Sequence, residues 1–171
     1  MTKKVLTALY VLFLFIFIMS GCSDSAKAVD IITDFSADFT AQYRGAEYSG
    51  KLSTNRQGVT DISIDSPEEV SGISFGYKNG ELEISREDLI CSADEAYLPQ
   101  KSLPSLVKTI LDGVSRGNAK LCSHGNDTYT YSFRTDSGEC VLETDEKGYI
   151  TAVEIKDAEL SMELSQGDLS D

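Results

Sequence analysis

Cys122 and His124 are the residues whose types best suit catalysis, because a thiol activated by an imidazole is a common nucleophile. They lie two positions apart, and His124 is the only histidine of the chain. Neighbours within one tight turn do not place a thiolate and an imidazole around a substrate, so the spacing favours a solvated turn. The dispersed cysteines form no Cys-x-x-Cys pair of the kind that zinc sites use.

Acidic residues occur in pairs that could bind calcium or act as general acid and base. The pairs are Asp61 with Asp65, Glu68 with Glu69, and Asp145 with Glu146. None belongs to an Asp-x-Asp-x-Asp-Gly loop, and carboxylates on strand faces and in turns are usually solvated. The sequence also has no glycine-rich phosphate loop and no Gly-x-Ser-x-Gly motif. We therefore predict no catalytic residue, no metal site, no cofactor and no enzymatic activity.

The remaining candidates for a functional role are apolar and aromatic side chains that fall on one face of predicted strands and of one predicted helix. Core packing explains all of them, and the lining of an apolar ligand pocket is the alternative. The candidate ligand-facing residues are Phe35, Phe39, Phe75, Tyr77, Leu106, Ile110, Leu111, Tyr131 and Phe133.

Alternation of apolar and polar residues predicts most of the elements that position these side chains. The first five alternating runs are joined by short turns, which indicates an antiparallel meander. Asn79 and Gly80 between the fourth and fifth runs are typical of a type I′ hairpin. The predicted strands lie near residues 35–43, 47–53, 59–66, 70–78, 82–84, 120–123, 129–134, 139–144, 149–155 and 159–164, whereas residues 87–100 show no regular pattern.

One segment has helical spacing instead. Ser102 is the predicted N-cap, Pro104 lies in the first turn, and Gly117 can close the helix. Ten strands spaced ~4.8 Å apart form a sheet ~50 Å wide, whereas this helix is only ~21 Å long. We predict a mainly β (α+β) fold, with a single strongly curved antiparallel sheet forming an open or half barrel of about ten strands wrapped on one helix. The helix cannot cover the whole inner face of such a sheet.

The N-terminal segment has the features of a secretory signal peptide. Lys3 and Lys4 precede an apolar run over residues 5–19 that is short for a membrane span. The following Ser20-Gly21-Cys22 resembles the lipobox of bacterial lipoproteins, in which the signal is cleaved before the cysteine and its sulfur carries a diacylglyceryl group. The resemblance implies lipid attachment at Cys22 and an extracytoplasmic protein anchored to the cell membrane. A buried or membrane-anchoring helix with an incidental cysteine is the alternative.

The predicted organisation has four parts. They are a lipoprotein signal peptide (1–21), a lipidated cysteine with a flexible tether (22–30), a folded domain (31–165) and a polar tail (166–171). Loss of the signal removes two of the 15 basic residues and none of the 28 acidic ones, so the formal net charge changes from −13 to −15. Such a charge excludes nucleic acid as a partner and disfavours electrostatic adhesion to an anionic membrane, so membrane attachment would require the lipid.

The three cysteines beyond Cys22 allow at most one intramolecular disulfide. The three possible pairs remain open. Pairing of Cys91 with Cys122 would close a loop around the predicted helix, whereas Cys140 is the third candidate. Each cysteine lies in or beside an apolar strand pattern, where it could equally pack as a small apolar side chain.

The order of strands, helix and strands, together with the lipobox, resembles the LolA-like and LppX/RseB-like family of extracytoplasmic lipoprotein carriers and regulators. Short segments are similar to those of Gram-positive, clostridial-type lipoproteins with that fold: residues 39–43 running into 48–52, Ser66-Pro67 before Ser71-Gly72-Ile73, and Leu98-Pro99 before the helix. The resemblance implies that residues 31–165 form a LolA-like half barrel that holds a lipid chain or other apolar ligand, or that docks a protein partner.

The leading hypothesis is a cell-surface-anchored lipoprotein that binds a hydrophobic or amphiphilic ligand in the open barrel. The alternative is an envelope protein-interaction or sensing module with a packed interior. The expected partners are thus the membrane, through the lipid anchor, and either an apolar small molecule or lipid or an envelope protein. A solvent-connected interior cavity would favour the first hypothesis, and a filled interior with an exposed apolar patch the second.

Overall fold

A computed structural model describes residues 28–125 and 127–166, which form one antiparallel sheet of eleven strands. The predicted signal peptide and Cys22 lie outside these residues. The strands are β1 (Phe35–Tyr43), β2 (Ala46–Thr54), β3 (Thr60–Ser66), β4 (Ile73–Lys78), β5 (Glu81–Arg86), β6 (Leu89–Asp94), β7 (Lys120–His124), β8 (Thr128–Thr135), β9 (Gly138–Asp145), β10 (Ile150–Ile155) and β11 (Leu160–Gln166).

The described helices are few and short. The α-helix α1 (Leu103–Ser115) connects β6 to β7, and single 3₁₀ turns occur at Glu68–Val70, Glu95–Tyr97 and Lys156–Ala158. Among the described residues, no helix combines the length and the apolar character that a membrane crossing would require.

The strand order is β6-β5-β4-β3-β2-β1-β11-β10-β9-β8-β7, so two meanders meet in the middle of the sheet. They meet where β1 pairs with β11, in a register that runs from Ala37 opposite Gln166 to Tyr43 opposite Leu160. The two edge strands are β6 and β7, and the sheet is therefore open. This architecture confirms the predicted fold class of a half barrel with one helix.

One strand, β6, was absent from the sequence prediction. Its residues are almost all exposed on both faces, including Leu89 and Ile90. An edge strand that buries neither face has no alternating pattern to detect. The predicted hairpin before β5 is confirmed, because Asn79 and Gly80 have φ angles of 54° and 82°.

The core lies between the concave face of the sheet and α1. In β1 the buried side chains alternate strictly with exposed ones, as the sequence pattern predicts. The helix contributes eight buried residues, and one continuous cluster extends over both meanders. Since every buried apolar residue of this cluster lies between Phe35 and Leu164, the fragment 23–171 contains all the elements of the described fold.

The helix ends agree with the sequence prediction, with one difference in capping. Pro104 lies in the first turn, and Gly117 has a φ of 71° and donates its N–H to the carbonyl of Val114. Ser102 occupies the N-cap position, but its hydroxyl forms a hydrogen bond of 2.9 Å with the hydroxyl of Ser105 rather than with a backbone N–H.

Within the described residues, Val29 already contacts the domain, although it belongs to the segment predicted as a tether. The Tyr131 hydroxyl donates to the Val29 carbonyl at 2.7 Å and accepts from the Val29 N–H at 3.1 Å. Ile32 donates its N–H to the carbonyl of Gly148 at 2.9 Å. The described start of the chain is thus joined to β8 and to the turn before β10.

Candidate ligand-binding site

An apolar cavity of about 400 Å³ lies at the end of the half barrel where α1 begins. Its volume falls within the range of small-molecule sites in proteins. It is bounded by the inner faces of β1 to β4, by the 3₁₀ turn at Glu68–Val70 and by the segment before the helix. The lining residues are Tyr43, Arg44, Tyr48, Ile64, Val70, Ile73, Phe75, Pro99, Lys101, Ser102, Leu103 and Pro104.

Two tyrosines from neighbouring strands form part of the cavity wall. Tyr43 is the last residue of β1, and Tyr48 lies on β2 opposite Ala41. Their ring centroids are 6.2 Å apart and the rings are tilted by 54°, a common geometry for a favourable aromatic pair. Tyr43 is buried and Tyr48 half-buried, so the pair spans the cavity from its base towards solvent.

The opposite wall is the segment 99–104. The Tyr43 hydroxyl donates a hydrogen bond to the carbonyl of Lys101, and Ser102 donates its N–H to the carbonyl of Pro99 at 2.8 Å. The bond from Tyr43 holds the segment over the end of β1, and the bond from Ser102 closes a turn within the segment. The cavity is therefore built into the folded domain, which reduces the ordering that a ligand would have to impose.

Among the described residues, the only charged ones that line the cavity are two cations, Arg44 and Lys101. The Arg44 guanidinium carbon lies 5.2 Å from the centroid of the Tyr43 ring, within the range of a cation–π contact. Within residues 28–125 and 127–166, neither cation has a carboxylate within 4.0 Å. The cavity thus carries positive charge in a chain whose formal net charge is −13.

The apolar floor of the cavity continues across the sheet to its edge. Strand register places Phe75 opposite Ile84, and Ile84 opposite Cys91 on β6. Ile84 is half-buried and Cys91 exposed, so coverage by α1 decreases towards the edge. The next row of side chains on the same face ends at Leu89 on β6, and this side chain is 76% exposed. We call the three residues Phe75, Ile84 and Cys91 the apolar strip.

Most of the predicted ligand-facing residues lie in the packed core instead of this cavity. Phe75 is the one that lines it. The other eight are buried: Phe35, Phe39, Tyr77, Leu106, Ile110, Leu111, Tyr131 and Phe133. Alternation correctly identified the inner face of the sheet, but it does not show which end of that face the helix leaves uncovered.

Sequence reasoning therefore missed most of the cavity. Ile64, Ile73 and Arg44 line the cavity but were not among the candidate residues named from the sequence. Pro99 was a usable signal for the segment before the helix, because a proline fixes φ and lacks the N–H that a helix or strand interior needs.

A second hollow of about 230 Å³ lies on the other side of the helix start and has a more polar lining. It includes Tyr77, Ser105 and the ion pair between Lys108 and Asp112. The Tyr77 hydroxyl is buried without a hydrogen-bond partner among the described residues, and this burial raises the pKa of Tyr77.

The Cys122 and His124 side chains are not arranged as a catalytic pair. The Cys122 sulfur lies 3.0 Å from the Ser132 hydroxyl, and the His124 ring contacts the ring of Tyr129 at a centroid distance of 4.6 Å. In the described part of the chain, no three side chains of His, Cys, Asp or Glu form a metal-binding cluster.

All three cysteines of the described domain are free thiols in the structure. Cys91 and Cys122 are exposed on the two edge strands, β6 and β7. Cys140 is buried, and this burial raises its pKa to about 12.

Comparisons with known proteins give similarities at the level of structure. The chain is similar to an uncharacterized conserved protein from Thermus thermophilus, with a TM-score of 0.47 and 8% identity over 80% of this chain and 82% of that one. It is also similar to a LolA superfamily protein from Nitrosomonas europaea, with a TM-score of 0.41 and 10% identity over 82% of this chain and 87% of that one.

At the level of sequence, neither kind of comparison gives a match. No family model matches the chain. No curated protein matches it either.

Proposed function

We propose that this protein is a non-enzymatic binding protein that holds a hydrophobic or amphiphilic small ligand in the cavity between β1–β4 and the start of α1. The observation that carries the proposal is the cavity of about 400 Å³ with its largely apolar lining. A cavity of this size with a few polar groups at its rim is the usual form of a small-molecule site.

Burial of partly exposed apolar side chains would drive this binding. Val70, Ile73 and Phe75 line the cavity and are only half-buried. Removing such surface from water contributes ~25 cal/mol per Å² before the cost of immobilising the ligand. The rest of the inner face is packed against α1, so the ligand would occupy one end of the half barrel rather than its whole length.

The proposal extends to location. The lipobox-like segment before Cys22 supports a lipid-anchored extracytoplasmic protein, and the acidic charge of the chain supports attachment through lipid rather than through a basic surface. Mass spectrometry of the full chain purified from a bacterial host tests this part. A diacylglyceryl adduct at Cys22 is the expected result, and a chain that retains residues 1–21 without lipid would contradict it.

The binding proposal is tested with a neutral fluorescent apolar molecule, N-phenyl-1-naphthylamine. The fragment 23–171 should bind it saturably, and Val70→Trp should weaken binding by about tenfold or more because the larger ring fills the cavity. Val59→Trp is the matched control, since Val59 is also half-buried but does not line the cavity. Equal affinity in both variants would contradict the assignment of the cavity.

A second candidate function, protein interaction through the edge of the sheet, is favoured by one observation. Leu89, Ile90 and the nearby Tyr97 are 76%, 67% and 81% exposed. A free strand edge with apolar side chains can pair with an extended strand of another protein. A photo-crosslinking residue placed at position 90 of the full chain should then capture a protein partner that the same residue at Lys51 does not. The absence of a difference between the two positions would argue against this function.

A further inference from the structure

We propose that the ligand is an anionic amphiphile with a single alkyl chain, whose head group binds to Arg44 and Lys101. This inference rests on the proposed function, because it assigns the chemistry of the ligand that the apolar cavity would hold. The alkyl chain would lie against the apolar lining, and the negative head group would lie at the rim beside the two cations.

The distribution of charge supports an anionic head group. The chain has 28 acidic and 15 basic residues, yet both charged residues that line this cavity are basic. A third hollow lies on the outer face of the sheet. Its charged lining residues are Asp38, Asp65 and Glu163, and no cation of the described residues lines it. A cationic rim in an acidic protein is therefore a local property of this cavity.

One residue, Tyr43, contacts both the Arg44 side chain and the backbone of Lys101. The Tyr43 ring lies beneath the Arg44 guanidinium, and the Tyr43 hydroxyl binds the backbone carbonyl of Lys101. Arg44 itself has a φ of 50° in the turn between β1 and β2, where its N–H donates to the carbonyl of Glu159 at 3.1 Å. Cations that have no carboxylate within 4.0 Å among the described residues are well suited to bind the carboxylate or phosphate of a ligand.

Among the described residues, acidic side chains near the cavity form no ion pair with Arg44 or Lys101. The Glu47 carboxylate, the acidic group of the following strand, accepts a hydrogen bond of 3.0 Å from the side-chain amide of Gln42. Glu68 and Glu69 belong to the 3₁₀ turn beside the cavity but are not among the residues that line it. The Arg44 guanidinium and the Lys101 ammonium therefore remain available to a ligand.

The shape of the apolar surface supports a single chain. The cavity of about 400 Å³ shares Phe75 with the apolar strip. The strip lies between a row that contains the buried Leu82 and a row that contains the charged Arg86, so the partly exposed apolar surface is one residue wide on each strand. One alkyl chain can follow this path from the cationic rim to the edge at β6. Each buried methylene would contribute about 0.8 kcal/mol.

The test compares ligands that share a ten-carbon chain and differ in head group: decanoate, decyl phosphate, decanol and decyltrimethylammonium. Binding to the fragment 23–171 is measured by displacement of N-phenyl-1-naphthylamine, and the key results are repeated with the full chain in phosphatidylcholine nanodiscs. Both anions should bind about tenfold or more tightly than decanol, with the cation weakest, because a charge-assisted hydrogen bond is stronger than a neutral one. A preference for decanoate would indicate a free fatty acid, and one for decyl phosphate a lipid phosphate.

The matched variants each remove two positive charges. Arg44→Gln with Lys101→Gln should abolish the preference for anions over decanol. Lys51→Gln with Lys78→Gln should behave as the original chain, since both lysines are exposed and neither lines the cavity. An equal affinity for anions and decanol, or an equal loss in both double variants, would overturn the anionic ligand while leaving the apolar site intact. Failure of all four ligands to bind would overturn both proposals.

Discussion

The Tyr43 hydroxyl donates a hydrogen bond to the backbone carbonyl of Lys101, 58 residues further along the chain. This bond joins the last residue of β1 to the segment that leads into α1, and the ring that carries the hydroxyl also supports the Arg44 guanidinium. One side chain thus fixes the wall of the cavity and supports one of its two cations.

Tyr43→Phe should lower both stability and selectivity for anions. Loss of a hydrogen bond that leaves a carbonyl without its partner typically lowers the free energy of unfolding by about 1 kcal/mol. Urea unfolding of the fragment 23–171 measures this loss, and decanoate binding should weaken more than decanol binding because the 99–104 wall loosens. Tyr48→Phe is the control, since it removes a hydroxyl from the neighbouring ring but leaves the Lys101 contact in place.

Gly113→Ala should destabilise the fold although alanine favours helices. A Cβ at Gly113 would overlap the ring of Phe133, which packs against the helix backbone. Overpacking costs about 1–3 kcal/mol and exceeds the gain of ~1 kcal/mol from helix propensity. The midpoint of thermal unfolding should therefore fall. Ser115→Ala, at an exposed position of the same helix, should raise it or leave it unchanged.

Tyr131→Phe should release the described start of the chain from the sheet. It removes both hydrogen bonds between the Tyr131 hydroxyl and Val29, so the free energy of unfolding should fall by about 1–2 kcal/mol near pH 7. Hydrogen exchange at Val29 should accelerate, while exchange in β1 should not change. Unaltered protection at Val29 would show that other contacts hold this segment.

The stability contributed by Tyr131 should also depend on pH. Burial raises the pKa of Tyr131 above its ordinary value of 10.0, so the unfolded chain loses this proton at a lower pH than the folded one. The contribution is therefore complete below pH 10 and decreases as the pH rises from 10 towards the folded-state pKa. The difference in unfolding free energy between the original chain and Tyr131→Phe should shrink over this interval, and a constant difference would contradict it.

The three thiols of the fragment 23–171 should differ in reactivity. Cys91 and Cys122 are exposed, whereas Cys140 is buried with a pKa of about 12. Since the thiolate is the reactive form, Ellman's reagent at pH 8 should modify two thiols in the folded protein and all three in urea. Cys140→Ala should remove only the thiol that becomes reactive on unfolding. Modification of three thiols without urea would mean that Cys140 is accessible.

The sequence was informative wherever one face of an element is buried. Strict alternation in β1 and the helical spacing in α1 arise because each element packs one side against the same core. The Asn79-Gly80 hairpin was predictable because few residues adopt positive φ at two successive positions. Together these local constraints sufficed for an open antiparallel sheet around one helix.

The cavity was less predictable because it depends on what α1 leaves uncovered. The same alternating pattern produces Phe39, which is buried in the core, and Phe75, which lines the cavity. Periodicity assigns a side chain to a face but not to a position along the helix axis. The proposed role of Arg44 in ligand binding was hidden for a related reason. Arg44 and the 99–104 segment are far apart in the sequence, and only the tertiary structure brings them to the same cavity.

The direction of β1 has a consequence for orientation. Residues 29–32 join the sheet near Phe35, and the cavity lies at Tyr43, the other end of the same strand. Nine residues at a rise of ~3.3 Å separate these ends by about 26 Å. The cavity therefore lies at the opposite end of β1 from residues 29–32, the described part of the chain through which the domain would be connected to a membrane anchor at Cys22. A ligand would then enter from the aqueous phase rather than directly from the bilayer that carries the protein.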